Sequence, residues 1–244
     1  MLVPHHCLSG ALRRLLAVAA VLVPLNGASA ADVKTSAVSV GGTNAALLVP
    51  AKPRASLILL TGGNGRLDID GSGNIGYGRA NQLVRTREAY AARGFAVLVP
   101  NSGYDLTALI AYMGQIKRPV VVAGTSRGTQ RAARGIASGA RPDKLVLTSG
   151  FLSNESGDRD NVMNILGNPD LLPPTLIIHH RQDACAKTAP GGVAPFQAWA
   201  GTRAKVTWLS GGTPEGDACE AHGTHGFNGI DGQVVSAIAS FGGR

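Results

Sequence analysis

From residue 33 onward the chain alternates apolar, β-branched runs with segments whose apolar residues recur at helical spacing. Residues 33–40 and 45–49 predict two strands, and the turn composition between them, Gly41-Gly42-Thr43-Asn44, predicts an antiparallel hairpin. The pattern then changes. Residues 56–60 form a continuous apolar run, as expected for a strand buried on both faces, and 95–99 form another. Four more strands are predicted at 120–123, 144–148, 175–179 and 205–209. Between them, residues 81–93, 106–116, 127–138 and 195–200 have helical composition. Ile230, Val234, Val235, Ile238 and Phe241 share one face of a closing helix. A leading hairpin followed by repeated β-α units predicts an α/β fold, a mostly parallel sheet with helices on both faces. Residues 154–174 are polar and turn-rich and are expected to form a small lid after the strand ending at Thr148.

The segment before this pattern reads differently. Arg13 and Arg14 supply a positive region, 15–25 an apolar one, and Ala28-Ser29-Ala30 a small-residue cleavage site. The apolar stretch is too short for a membrane span. A secretory leader over 1–30 and a single domain over 31–244 are therefore expected, with an uncleaved anchor as the alternative. The residues flanking the arginine pair match a twin-arginine signal poorly. The remaining length suffices for one sizeable core.

Composition narrows the partners. The net charge is +8. The positive residues are scattered, with little aromatic interleaving, which argues against nucleic acid and leaves anionic small molecules or envelope polymers. Of the three cysteines, Cys7 belongs to the leader, and Cys185 and Cys219 remain as an even pair. In an oxidising compartment they are expected to be bonded, with two buried free thiols as the alternative. Such a pair offers too few ligands for a metal site, so no metal is expected. The expected location is periplasmic or secreted.

The chemistry enters at Gly124-Thr125-Ser126-Arg127-Gly128, between an apolar strand and a helix. The bare G-x-S-x-G pattern is weak in a chain with 33 glycines. Its place between strand and helix makes it a candidate nucleophile elbow with Ser126 at the tip. A serine hydroxyl needs an imidazole to take its proton, and the imidazole needs a carboxylate to orient it. Asp183 follows the strand at 175–179 at its carboxyl end, where catalytic loops gather in open sheets. His225 lies between the last strand and the last helix. The nucleophile, acid and base thus occur in the order Ser, Asp, His.

Other candidates are weaker. His222 is the main rival base, Asp170 precedes its strand, and Asp217 and Glu220 lie past the last one. His179 and His180 read as core or rim histidines. Expected oxyanion donors are the Arg127 amide and either Gly63 or Asn64, from Thr61-Gly62-Gly63-Asn64-Gly65. The Arg127 side chain has two readings, contact with an acidic substrate group or with a structural carboxylate. A Cys185–Cys219 bond would tie the acid loop to the base loop.

On these residues, together with His179-His180-Arg181-Gln182-Asp183-Ala184-Cys185 and His225-Gly226-Phe227, the chain resembles the α/β-hydrolase superfamily over residues 31–244. It is most similar to small exported bacterial hydrolases of the dienelactone-hydrolase-like type. That resemblance implies an eight-stranded sheet with one antiparallel strand, little cap, no cofactor and a small-molecule ester or related acyl substrate. Cysteine often replaces the nucleophilic serine in true dienelactone hydrolases, whereas Ser126 stands here. Two other readings remain on the same scaffold, a peptidase or amidase and a catalytically silent binding protein.

Overall fold

In a computed structural model of the chain, residues 1–3 and 32–243 are described. Arg13, Arg14, the apolar stretch, the Ala28-Ser29-Ala30 site and Cys7 lie outside the described residues.

Eight strands form one sheet: β1 Val33–Val40, β2 Thr43–Pro50, β3 Ala55–Leu60, β4 Phe95–Pro100, β5 Val120–Thr125, β6 Lys144–Thr148, β7 Thr175–His180 and β8 Ala204–Leu209. Their order is β1-β2-β4-β3-β5-β6-β7-β8. The hairpin strand β2 runs antiparallel to both β1 and β4, and every other pairing is parallel. The helices are α1 Gln82–Arg85, α2 Arg87–Ala91, α3 Leu106–Ile116, α4 Arg127–Ala137, α5 Val162–Leu166, α6 Val193–Ala200 and α7 Asp231–Gly242.

The apolar runs follow from burial on both faces. Along β3, Ile58 and Leu60 point into one core with Leu109, Met113, Ile136 and Phe196 from α3, α4 and α6. Leu57 and Leu59 point into the other, with Leu83, Tyr90, Val234 and Ile238 from α1, α2 and α7. Alternation along a strand sends successive side chains to opposite faces, so a strand covered on both has no polar face to show.

Two local expectations change. The helix expected over 81–93 is broken into α1 and α2 at Thr86, whose hydroxyl donates to the Gln82 carbonyl at 2.7 Å. Such back-bonding by threonine competes with the helical ladder. Residues 154–174 do not stand over the sheet as a lid. They fold into α5 and short helical turns, pack against α4, and bury Val162 and Leu166 in the first core.

At the carboxyl ends of the central strands the backbone is crowded. Gly124 on β5 pairs with Leu60 on β3, and Thr125 with Thr148 on β6. A Cβ on Gly124 would come within 2.6 Å of the Gly128 carbonyl oxygen. One on Gly128 would overlap the Leu60 carbonyl oxygen. Both elbow glycines are therefore needed for close backbone approach. Gly128→Ala is expected to destabilise by roughly 2–3 kcal/mol, read as a thermal midpoint about 5–10 °C lower. Gly232→Ala, in α7 where a Cβ meets nothing within 4 Å, should leave the midpoint unchanged or raise it. Equal midpoints for both variants would contradict this account of the elbow.

Candidate active site

The turn after β5 places Ser126 at φ 52° and ψ −125°, a left-handed conformation that L-residues with a Cβ rarely adopt. Two anchors hold it there. The Ser126 amide donates to the Thr148 carbonyl at 3.0 Å, and the Thr129 hydroxyl donates to the Ser126 carbonyl at 2.7 Å. Arg127 then opens α4. Its amide is among the first of the helix, which have no acceptor inside the helix, at the positive end of the helix dipole.

The loop after β3 lies against this turn. A Cβ on Gly62 would sit 3.2 Å from the Ser126 Cβ, so this glycine makes room for the Ser126 side chain. Arg131 donates to the carbonyls of Thr61, Gly62 and Gly63, fixing the peptide planes of the loop. Gly63 and Asn64 line a cleft of about 750 Å³ that Ser126, Arg127 and His225 also line.

His225 sits buried in a short helical turn at Thr224–Gly226. Its carbonyl accepts from the Ser149 hydroxyl at 2.7 Å. Arg85 pairs with Asp231 at 2.9 Å and donates to the carbonyls of Ala221 and Gly226, bracing both sides of the turn. The His225 Nδ1 lies 3.1 Å from Asp183 Oδ2. The Asp183 side chain is buried and satisfied on both oxygens. Oδ1 accepts from the Cys185 amide at 3.0 Å, and Oδ2 accepts from the Thr188 hydroxyl at 3.1 Å as well as facing His225. Thr188 Oγ1 is also 2.9 Å from His225 Nδ1. An Nδ1–H shared between these two oxygens leaves Nε2 free to accept a proton.

The structure thus brings Asp183 to His225, and Ser126 and His225 to one cleft. Among the described residues the Ser126 hydroxyl makes no hydrogen bond. In unliganded sites such bonds are often open and close on substrate.

The other candidates go elsewhere. His222 is exposed and is not among the residues that line the cleft. Asp170 pairs with Arg203 at 2.8 Å, and Asp217 accepts from the Cys219 amide. Glu220 lines the cleft mouth. His180 is buried, with Nε2 3.0 Å from the Gly211 carbonyl. His179 is buried too, stacked obliquely on Trp208; its Nδ1 lies 3.2 Å from the His180 carbonyl oxygen, and its Nε2, 4.0 Å from Asp183 Oδ2, has no hydrogen-bond partner. Burial holds its imidazole pKa below the usual value.

Several residues of this arrangement carry no motif. Thr188, Arg85 and Arg131 are recognisable only once the chain is folded. The cleft wall is also unexpected. No residue of 154–174 lines it, whereas 66–67 and 76–82 do. This wall is tied down by the Asn101 side chain, which accepts from the Leu67 amide at 2.9 Å, and by a bridge between Ile69 and Ile75.

Cys185 and Cys219 are bonded, with Cα atoms 4.6 Å apart, and both line the cleft. Among the described residues no group of three or more His, Cys, Asp or Glu side chains could hold a metal ion. No described helix is long and apolar enough to cross a membrane.

Solved structures with this architecture are numerous. An esterase of Pyrococcus furiosus matches with a TM-score of 0.60 at 13% identity, over 86% of this chain and 90% of that one. An esterase domain from a Rhodothermus marinus protein matches at 0.58 and 13%, over 85% and 98%. A Xanthomonas campestris α/β serine hydrolase without a lid matches at 0.58 and 15%, over 85% and 95%. The chain has the α/β-hydrolase fold. No protein-family model and no curated protein matches its sequence.

Two consequences can be measured. Closing a loop over a separation of 34 residues stabilises by about 3–4 kcal/mol in the chain-entropy model. The Cys185→Ser/Cys219→Ser double variant should therefore show a clearly lower thermal midpoint, and an unchanged one would refute this role. His179 binds fewer protons folded than unfolded, so its contribution to stability is full above about pH 6.5 and is lost as the pH falls below it. His179→Gln should lose less stability than wild type between pH 7 and pH 5. Parallel curves would contradict the assignment.

Proposed function

We propose that this chain is an exported serine hydrolase acting on carboxylic esters. The observation that carries this reading is the buried Asp183–His225 pair opening onto the cleft that Ser126 lines from a strained turn. The esterases and serine hydrolases that share the fold favour the same reading.

In the proposed reaction Ser126 Oγ attacks the ester carbonyl while His225 Nε2 takes its proton. Asp183 keeps the other ring proton on Nδ1 and stabilises the imidazolium. The carbonyl oxygen becomes an oxyanion held by the Arg127 amide and by an amide of Gly63 or Asn64. His225 returns the proton to the leaving alkoxide, leaving an acyl-serine. Water, deprotonated by His225, then attacks the acyl carbonyl, and His225 returns that proton to Ser126 Oγ as the bond to it breaks and the acid leaves. Thr188 positions the acid and base by its hydrogen bonds to both. Export is supported by the leader-like sequence over 1–30 and by the Cys185–Cys219 bond, which persists in oxidising compartments.

Purified protein lacking residues 1–30 should hydrolyse p-nitrophenyl esters of short acids, and Ser126→Ala should abolish this. Asp183→Asn should lower kcat by roughly 10⁴, as for the corresponding change in a serine protease. A loss under about tenfold would place the acid elsewhere. Thr188→Val should lower kcat roughly tenfold, the scale of one hydrogen bond to a charged group.

A further inference from the structure

Two imidazoles approach the Asp183 carboxylate, and the proposed reaction uses one of them. His225 Nδ1 lies 3.1 Å from Oδ2. His179, near the carboxyl end of β7, places Nε2 4.0 Å from the same oxygen. The chain makes this meeting locally. Directly after β7 it turns back, with the Asp183 amide donating to the His180 carbonyl at 3.2 Å, and the Asp183 side chain comes to rest against His179. His180 is on the other face of the strand, edge-on to Phe227, with Nε2 at the Gly211 carbonyl.

The other ring nitrogen of His179 fixes its tautomer. Nδ1 is 3.2 Å from the His180 carbonyl oxygen, which can only accept, so Nδ1 carries the hydrogen. In the neutral ring Nε2 is then an acceptor beside a second acceptor, Asp183 Oδ2. Two acceptors cannot bond, which accounts for the 4.0 Å gap and for the buried Nε2 having no hydrogen-bond partner. Leaving a buried polar atom unpaired costs free energy, and native structures hold few of them. A proton reverses the contact. Protonated Nε2 is a donor within reach of a carboxylate, and closing the gap by about 1 Å gives a charge-assisted bond of ordinary length.

We propose that His179 is a positioning residue for Asp183: its neutral ring leaves Oδ2 to His225, and its protonated ring draws Oδ2 away, so that His179 sets the acid limit of hydrolysis. Oδ2 already meets the Thr188 hydroxyl and the His225 ring, and a carboxylate oxygen offers about two lone-pair sites. A third donor therefore competes with His225. The added positive charge also opposes the His225 imidazolium that attack on the ester requires. Near neutral pH the device is silent, because burial keeps the His179 ring uncharged; the Asp183 carboxylate favours its protonation and His225 opposes it. From β8 the ring is covered by the indole of Trp208, and the Arg181 guanidinium lies 5.4 Å from the centre of that indole.

This inference rests on the esterase reading, and the test separates the two. The kcat/KM for p-nitrophenyl butyrate is measured between about pH 5 and pH 8 in wild type, His179→Asn and His179→Phe, with the thermal midpoint followed at each pH. His179→Asn keeps a donor for the His180 carbonyl, His179→Phe keeps a ring on Trp208, and neither side chain titrates. On acidification wild type should lose roughly tenfold more activity than either variant, the scale of one pKa unit at the catalytic pair. Histidine titration by NMR gives a second reading that needs no activity, and it decides alone where a variant fails to fold. The His179 ring should titrate below about pH 6.5 in wild type, and lower still in Asp183→Asn, which removes the facing charge. Acid limbs that superimpose, a loss in both variants that is equal at every pH, or a His179 titration indifferent to Asp183→Asn would overturn the positioning role and leave the esterase reading intact. Failure of wild type to hydrolyse the ester at any pH would overturn both.

Discussion

A carboxylate taken out of water must be given donors, and much of this site is the set of groups that supply them to Asp183. Left unpaired, such a charge would cost several kcal/mol or simply pick up a proton. Here one oxygen accepts from the Cys185 amide, and the other meets the Thr188 hydroxyl and the His225 ring. The loop after β7 is shaped by this requirement. Its Cys185–Cys219 bond joins it to the segment that leads into His225, so Asp183 and His225 share one covalent brace.

The second constraint is backbone crowding at the carboxyl ends of β3, β5 and β6. Without Cβ atoms at Gly124 and Gly128, α4 can start directly beneath the β3 loop, and Ser126 is thrust forward with its amide tied to Thr148. The same closeness sets the Arg127 amide and the Gly62-Gly63-Asn64 backbone around one space. Arg131 and Arg85 act as clamps, one on the β3 loop and one on the His225 turn. Rigid supports of this kind let a polar site keep its geometry before a substrate arrives.

Much of the fold was legible because burial on both faces leaves a simple mark. Residues 56–60, 95–99 and 120–123 read as central strands since helices cover them above and below. The strained turn at Ser126 and the meeting of Asp183 with His225 were legible for a different reason, that local backbone geometry and residue chemistry restrict the sequence at those points. Residues 154–174 misled because polarity and turn residues mark a loop without saying where it goes. Val162 and Leu166 carry it back into the core beside α4. Thr86 likewise breaks a helix that composition alone would continue. Thr188, Arg85, Arg131 and the 66–82 wall act through contacts distant in sequence, and such contacts leave no periodic or spaced signal.

The account depends on His225, and not its neighbour His222, activating Ser126. The most direct measurement is the rate of fluorophosphonate labelling, with the modified residue mapped by peptide mass spectrometry, in wild type, His225→Ala and His222→Ala. A single adduct on Ser126 is predicted, forming at the wild-type rate in His222→Ala and orders of magnitude more slowly in His225→Ala. An adduct on another residue, or undiminished labelling in His225→Ala, would contradict it.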